Sequence, residues 1–199
     1  MNLLETPGPE DHAMSVLFAD YALSGYYDEM FDDDAAPRAP YAGLYGEVEH
    51  LEAGVFTRKS DLAGACYLNE GITFSHHGQE HPFPFDLLPR LISAAEWRRL
   101  EDGLRQRVTA LDRFLSDAYG PQRCLSDGVI PRSLLTSCKG YIREMVGITP
   151  PNDRWVHVAG IDLVRDGAGE WRVLEDNLRT PSGISYVVQN RNFMRRVFP

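Results

Sequence analysis

The most regular hydrophobic pattern in the chain lies between Ser93 and Gly120. Apolar side chains recur there every third or fourth residue, as on one face of an α-helix: Trp97, Leu100, Leu104, Val108, Leu111 and Leu115. Ser93 and Glu96 have the spacing of a capping box, and Gly120-Pro121 ends the pattern. The pattern predicts one long helix whose apolar face belongs to the core, and nothing in it indicates a cofactor site.

Shorter helical patterns lie on both sides of this helix. Two helices are expected near residues 41–52 and 57–68. A further helix is predicted to start near Pro131, because proline is tolerated in a first turn, and to end near Gly147. The segment ISYVVQNRNFMRRVF predicts a final helix over residues 184–197.

The hydrophobic pattern changes from helical to alternating near residue 155. WVHVAGIDLV and EWRVLEDN are rich in β-formers, and the RDGAG between them has the composition of a turn. They predict an antiparallel β-hairpin over residues 155–177. A short strand is also expected at Gly71–Phe74. The segment HHGQEHPFPFDLLPRLI contains three prolines, which remove backbone donors, so it predicts an ordered extended loop.

These elements predict an α+β fold, with a largely helical stretch over residues 41–147 followed by an antiparallel sheet. Residues 1–40 are rich in Asp, Pro and Ala, and residues 1–25 of this region are expected to be a leader that forms loop or short helix. Residues 26–199 are expected to form one domain.

Composition narrows the class of protein. A chain of 199 residues with 43% apolar content can fill a hydrophobic core. The net charge of -9 argues against nucleic acid and anionic membranes as partners, because both require a concentrated positive field. A cytoplasmic location is expected, because the N-terminus lacks a signal-peptide pattern and no segment reaches the roughly 20 apolar residues of a membrane span.

Cysteine and histidine patterns do not predict a disulfide framework or a zinc site. The cysteines are odd in number and have no C-x-x-C spacing, so reduced thiols are expected: Cys66, Cys124 and Cys138. His76, His77 and His81 lie in the proline-rich segment without a fixed face, so a zinc site there is not favoured. His157 is expected to be a packed strand residue.

Three oxygen-bearing side chains of the predicted hairpin share one face. Strand side chains alternate, so Glu175 and Asn177 point to the same side of their strand. The turn is expected to be a four-residue loop, either Asp166–Gly169 or Gly167–Glu170. In both registers Asp162 joins Glu175 and Asn177 on one face.

Two carboxylates on a partly apolar face would repel each other, and a divalent cation removes that repulsion. Mg²⁺ prefers about six oxygen ligands and takes only a few from protein, so Asp162, Glu175 and Asn177 suit a magnesium site. The alternative is structural. Asp162 would then cap the strand end, Glu175 would pair with an arginine, and Asn177 would belong to an ordinary turn.

The residues that follow the hairpin favour the metal site. Arg179, Pro181, Ser182 and Gly183 lead directly into the final predicted helix. A helix N-terminus presents free N–H groups to anions, and the arginine guanidinium suits phosphate. Metal ligands and an anion site would then be adjacent, as phosphoryl transfer requires.

Longer phrases resemble a known family. They include YYDEMFD, GITF, HPFPFDLLPRLI, EWRRLEDGLRQRVTALDRFLSDAYG, SDGVIP, HVAGIDLVRDGAGEWRVLEDNLRTPSGISYVVQNR and MRRVFP. Together they cover nearly everything after residue 26. The chain resembles the circularly permuted ATP-grasp proteins, which are similar in fold to glutathionylspermidine synthetase.

The resemblance implies roles for the site residues. Asp162, Glu175 and Asn177 would be magnesium ligands, Ser182 and Gly183 would bind the nucleotide phosphates, and Arg179 would steady the transferred phosphoryl group or the acyl phosphate. ATP would phosphorylate a small-molecule or peptide carboxylate, and an amine would then attack the acyl phosphate to form an amide or peptide-like bond. The implied cofactors are ATP and Mg²⁺.

The resemblance also implies proteins about twice as long, with further ATP-binding elements after the end of this chain. We therefore expect weak or no ATPase activity from these 199 residues alone, with either a missing C-terminal half or self-association of an uncovered sheet. A non-catalytic scaffold module of a peptide-modifying pathway is the alternative. A metal-dependent hydrolase is disfavoured, because no base or nucleophile is evident near the carboxylates.

Two further segments have either a site role or a structural one. Asp86 and Arg90 would border the substrate pocket, or act as a cap and a structural arginine. The Tyr26–Phe31 segment would approach the site, or dock the N-terminal part onto the core.

Overall fold

The computed structural model describes residues 17–199. Residues 1–16 of the predicted leader lie outside the described residues, and residues 17–25 form turns and bends. The helices are α1 (Ala42–Val48), α2 (Ala53–Asn69), α3 (Ala94–Tyr119), α4 (Arg123–Ser126), α5 (Arg132–Ser137) and α6 (Gly183–Val197). The strands are β1 (Thr73–His76), β2 (Gln79–Pro82), β3 (Gly160–Arg165) and β4 (Trp171–Asn177). Short 3₁₀ turns occur at Ala39–Tyr41, Arg143–Met145 and Pro151–Asp153.

The chain divides into two compact units. The first contains the described residues up to Ser93, the segment Arg165–Glu170 and the segment Ser185–Pro199. The second contains Ala94–Val164 and Trp171–Ile184. None of the described helices is long and apolar enough to cross a lipid bilayer.

Aromatic packing forms the core of the first unit. One cluster of buried side chains comes from the N-terminal part and α1: Phe18, Met30, Phe31, Tyr41 and Val48. A second group surrounds Tyr67 of α2, which is fully buried. Its ring meets Phe193 of α6 edge-on, with 4.5 Å between centroids. The Tyr67 hydroxyl donates a hydrogen bond to Asn190 Oδ1, and burial raises the pKa of Tyr67 to about 12.

A β-hairpin replaces part of the predicted extended loop. β1 pairs with β2 from Thr73↔Pro82 to His76↔Gln79. His77 and Gly78 connect them with positive φ angles of 50° and 77°, as a two-residue hairpin turn requires. The extended-loop prediction is therefore wrong for this part, because Pro82 stands at the end of β2 and removes no donor from its interior.

The second unit contains the long helix. The helix expected between Ser93 and Gly120 is α3, and its last residue, Tyr119, is buried. The Tyr119 ring stacks on Tyr141 and on Trp155, with centroid distances of 5.0 and 4.7 Å.

The single helix predicted between Pro131 and Gly147 is wrong. α5 ends at Ser137, and Cys138 has extended angles, φ -69° and ψ 118°. Contacts with Tyr119 explain the break: Ile142 N donates to the Tyr119 hydroxyl (3.1 Å), and Gly147 N donates to the Tyr119 carbonyl (2.7 Å). The chain therefore wraps around the end of α3 where a continuous helix would point away from it.

The first strand of the C-terminal hairpin begins later than predicted, at Gly160. Asp112 of α3 is the reason. Its Oδ1 accepts the backbone N–H groups of Trp155 and Val156, both at 2.8 Å, so these residues have no donor for a neighbouring strand. His157 is consequently an exposed residue before β3, and its prediction as a packed strand residue is wrong.

Candidate functional site

The turn between β3 and β4 differs from the predicted four-residue loop. Asp166 N donates to Glu170 O (2.9 Å), so these two residues face each other across the loop Gly167–Gly169. Gly169 N donates to Asp166 O (2.9 Å), and Gly169 has φ +82°. If pairing were regular from this turn onward, Asp162 would lie opposite Leu174, on the other side of the sheet from Glu175.

The alternation of β4 changes before the strand ends. Trp171 and Val173 line one cavity together with Leu163 and residues of α3, so they face that helix. Asp176, an odd number of residues further on, also faces α3, because it pairs with Arg107. Residues of one face in a regular strand are an even number apart, so the side chains shift by one position between Val173 and Asp176.

Strand length and contacts agree with this shift. β3 has six residues and β4 has seven, which leaves one extra residue in β4, as in a β-bulge. A Cβ added to Gly160 would lie 3.7 Å from Asn177 Cβ, so the first residue of β3 lies beside the last residue of β4. We infer from these contacts that Leu174 and Glu175 together lie opposite Asp162, as the two residues of a β-bulge oppose one on the partner strand.

In this inferred register, the predicted metal ligands Asp162, Glu175 and Asn177 would lie on one side of the sheet. Asp162 and Glu175 are exposed, and Asn177 is half-buried. Among the described residues, no group of three His, Cys, Asp or Glu side chains could hold a metal ion. A cation at this site would have two carboxylates and one amide from the protein, and the remaining ligands would come from water or phosphate.

Arg107 fixes the orientation of β4. Its Nε and Nη2 donate to Asp176 Oδ1 and Oδ2 at 2.7 and 2.6 Å, in the parallel geometry typical of arginine and carboxylate. These hydrogen bonds lower the pKa of Asp176 below its usual 3.8. Because Asp176 points to α3, its neighbours Glu175 and Asn177 point to the other side.

Asp112 positions the segment that leads into β3. Its side chain is 5% exposed and also receives a hydrogen bond from Arg154 (3.4 Å). Burial alone would raise the pKa of Asp112, but the N–H groups of Val156 and Trp155, together with Arg154, lower it below 3.8. The sequence reasoning missed this residue. Its signal is a carboxylate beside Leu111, within the apolar stripe of α3.

A short loop connects Asn177, the last residue of β4, to Gly183, the first residue of α6. Arg179, Thr180 and Ser182 are exposed, and Gly183 is the first residue of α6. Pro181 packs on Gly160, where an added Cβ would come within 3.0 Å of Pro181 Cβ. Arg179 and Ser182 thus lie in the short loop between Asn177 and Gly183.

A cavity of about 760 Å³ opens beside this loop. Leu178, Arg179, Thr180 and Pro181 form one wall. The other lining residues come from the end of α3, the segment 140–145, the segment 155–158 and Ile184 of α6. Among these lining residues, Arg179 is the arginine and His157 is the histidine.

The Tyr26–Phe31 segment makes contacts within the first unit. Tyr27 lies beneath two guanidinium groups, with Arg38 and Arg165 at 4.5 and 5.1 Å from the ring centroid. Glu29 accepts two hydrogen bonds from Arg165 Nε, both at 3.1 Å. Asp28 Oδ1 accepts the N–H groups of Met30 and Phe31, at 2.8 and 2.7 Å. The described contacts of this segment are therefore structural.

Asp86 makes a local contact of the capping kind, in which its Oδ1 accepts the N–H of Leu88, two residues further on, at 2.9 Å. The three cysteines are free thiols.

Residues 89–199 match the family described as circularly permuted ATP-grasp type 2. A protein of Mycobacterium tuberculosis is 54% identical over 187 residues, which are 92% of this chain and 34% of that protein. A protein of Synechocystis is 45% identical over 183 residues, 90% of this chain and 38% of that protein. A protein of Frankia alni named "Putative glutamate--cysteine ligase 2-3" is 38% identical over 192 residues, 95% of this chain and 22% of that protein.

The chain thus spans about a third of the length of the first two relatives, and less of the third. The resemblance implied relatives about twice as long as this chain, and these three proteins are longer than that.

Proposed function

We propose a function from one premise, which is that this chain belongs to the circularly permuted ATP-grasp type 2 family. The proposed function is that of an ATP- and magnesium-dependent carboxylate–amine ligase. In this assignment the chain supplies the metal-binding and phosphate-binding part of the ligase. The observation that carries the proposal is the order of groups along one stretch of chain: Asp162 on β3, Glu175 and Asn177 on β4, then Arg179 and the N-terminus of α6.

The proposed metal site consists of Asp162, Glu175 and Asn177. Their oxygens are the hard donors that Mg²⁺ prefers, and the exposure of both carboxylates leaves room for water and phosphate ligands. Bound Mg²⁺ would neutralise the charge of the nucleotide phosphates during transfer. Arg107 supports this set indirectly, because its pairing with Asp176 keeps the adjacent Glu175 and Asn177 on the other side.

The proposed phosphate site consists of Arg179, Ser182 and Gly183. All three are exposed, and the last two stand at the start of a 15-residue helix, where free N–H groups and the positive end of the helix dipole favour anions. Arg179 would contact the phosphoryl group as it passes to the acceptor.

The proposed reaction has two steps. A substrate carboxylate oxygen attacks the γ-phosphorus of ATP, the bond from that phosphorus to the bridging oxygen breaks, and ADP leaves. An amine then attacks the acyl carbon, phosphate leaves with the electrons of the C–O bond, and the nitrogen loses a proton to give an amide. The name of the Frankia relative denotes a ligase of this general kind.

Manganese-induced broadening of NMR signals tests the metal site on this chain alone. We expect Mn²⁺, a paramagnetic substitute for Mg²⁺, to broaden the amide signals of Asp162 and of residues 175–177 first. Asp162→Asn and Glu175→Gln should each remove the effect. Asp102→Asn, which neutralises an exposed carboxylate of α3, is the matched control and should leave it intact. Broadening that starts elsewhere, or that persists in both variants, would refute the assignment.

A further inference from the structure

The side chains that line the cavity beside Arg179 are mostly apolar, with one arginine, and this composition favours some classes of ligand over others. The following inference rests on the proposed ligase function and concerns the acid that would be phosphorylated. Most lining side chains are apolar or aromatic, among them Leu115, Met145, Val158 and Leu178. An apolar lining of this size favours a ligand with an apolar body over a small, highly charged one.

One wall of the cavity is aromatic. Tyr119 and Trp155 both line it, and their rings are nearly parallel, at 11° and 4.7 Å between centroids. Tyr141 continues the stack behind Tyr119 at 12° and 5.0 Å. Hydrogen bonds from Ile142 N to the Tyr119 hydroxyl and from Trp155 N to Asp112 hold this wall in place. The wall is therefore a fixed apolar surface.

The rim of the cavity exposes apolar side chains to water. Ile142, Val158 and Ile184 are 53%, 54% and 62% exposed, respectively, and all three line the same cavity. A ligand with an apolar body would remove part of this area from water, which is favourable at about 25 cal/mol per Å² of apolar surface.

The charges in the cavity limit how many acidic groups a ligand can have. Arg179 is the only arginine or lysine among the lining residues, and His157 is the only histidine. A monocarboxylate needs one cation, and Arg179 lies where the proposed phosphoryl transfer would occur. A second carboxylate would find His157 and the Thr180 hydroxyl among these lining residues but no second arginine or lysine, and burying a carboxylate without a cation is costly.

We propose that this cavity binds the aryl-alkyl part of a monocarboxylic acid substrate, and that Arg179 binds its carboxylate. The acid would be an aromatic amino acid derivative, a peptide ending in an aromatic residue, or a similar aryl-alkyl acid. Such an acid has one carboxylate. Glutamate, which appears in the name of the Frankia relative, has two.

Binding of probe acids to the chain, measured by saturation-transfer NMR and calorimetry without ATP or metal, tests the proposal. We expect 3-phenylpropionate to bind with a Kd at least about tenfold lower than that of glutarate. Ile142→Glu, at the exposed rim, should abolish this binding, while Val129→Glu, at a position that is 73% exposed and outside the cavity lining, should not. Arg179→Met should weaken binding of 3-phenylpropionate by about tenfold but leave binding of 3-phenylpropanol unchanged. Arg191→Met, at another exposed arginine, is its control.

Three results would overturn this assignment. Glutarate could bind as tightly as 3-phenylpropionate, neither acid could show saturable binding, or Ile142→Glu could leave the affinity unchanged. Adenosine serves as a fourth probe. If it binds more tightly than 3-phenylpropionate and loses its affinity in Ile142→Glu, the cavity is a nucleobase pocket and the proposal is wrong. The manganese measurement uses no acid and this one uses no metal, so a failure of the substrate assignment can be distinguished from a failure of the proposed metal site.

Discussion

Arg107 of α3 and Asp176 of β4 form two hydrogen bonds, from Nε to Oδ1 at 2.7 Å and from Nη2 to Oδ2 at 2.6 Å. Asp176 lies between two proposed metal ligands in the sequence, Glu175 and Asn177. In the proposed site, Arg107 would therefore orient the ligands without being one of them. Partners of this kind affect metal affinity strongly in proteins.

We expect Arg107→Met to weaken Mn²⁺ binding roughly tenfold, because β4 loses the contact that orients its ligands. The affinity can be measured by NMR titration of the Asp162 amide signal. Arg105→Met is the control, since Arg105 lies on the same helix and forms an ion pair with Glu101 of that helix. Equal affinities for the two variants would contradict the role given to Arg107.

Removing Asp112 should destabilise the second unit. Asp112→Ala leaves the backbone N–H groups of Trp155 and Val156 without their acceptor, which should cost about 2–4 kcal/mol of unfolding free energy. Urea denaturation followed by tryptophan fluorescence measures the loss. Asp102→Ala, at an exposed position of α3, should change stability by less than about 0.5 kcal/mol.

Asp112 also gives stability a dependence on acid. Its pKa in the folded chain lies below the usual 3.8, so its contribution is complete above the unfolded value and is lost as the pH falls through the folded value. The urea midpoint should therefore fall below about pH 4 by more in the parent chain than in Asp112→Ala. Parallel pH profiles for the two proteins would show that Asp112 contributes nothing to acid sensitivity.

Tyr67 should make stability sensitive to alkali. Its pKa rises from 10.0 to about 12 because of burial. The neutral phenol is favoured in the folded state, so its contribution is complete below pH 10 and is lost as the pH rises toward 12. Tyr67→Phe should remove this part of the alkaline transition and cost about 1 kcal/mol at neutral pH through loss of the hydrogen bond to Asn190. Tyr26→Phe, at an 80% exposed ring, should retain the transition.

Gly169 should not accept a side chain. Its φ of +82° disfavours other residues, and an added Cβ would come within 2.7 Å of Tyr27 Cε2. Gly169→Ala should cost roughly 2–3 kcal/mol from backbone strain and this clash. Gly167→Ala, in the same turn with open space around it, should be nearly neutral. If the two variants have the same thermal midpoint, Tyr27 does not pack on the turn as described.

The isolated chain should hydrolyse ATP weakly or not at all, because it spans only about a third of the length of its relatives and the proposed site accounts only for metal and phosphate contacts. ADP release in a coupled assay measures this. Turnover that persists unchanged in Glu175→Gln does not depend on the proposed metal site. Turnover by the parent chain that disappears in this variant would show that these residues suffice for catalysis.

Local patterns predicted the elements that depend on local sequence. α3 could be predicted because its capping box, apolar spacing and Gly120-Pro121 all indicate the same helix. The hairpin β1–β2 could not, because His77-Gly78 supplies a turn usually made by Asn-Gly, and the nearby prolines suggested a loop.

Tertiary contacts explain the remaining errors. The break after α5 depends on Tyr119, which is distant in sequence from the residues that bond to it. The late start of β3 depends on Asp112 in the same way. At the candidate site, the sequence could group Asp162, Glu175 and Asn177 by residue type, but the turn is one residue shorter than expected and β4 is one residue longer than its partner. These two differences offset each other, which no alternation pattern could predict.

The extra residue in β4 has a consequence for sequence changes in this strand. Leu174 is 68% exposed, and in the inferred register it pairs with no separate residue of β3. Deleting Leu174 would return the strand to uniform pleating and would still leave Asp176 toward Arg107 and Glu175 away from it. Inserting a residue after Glu175 would instead reverse Asp176 and Asn177, separating the amide from both carboxylates. The strand should therefore tolerate a shortening at one point and no lengthening just beyond it.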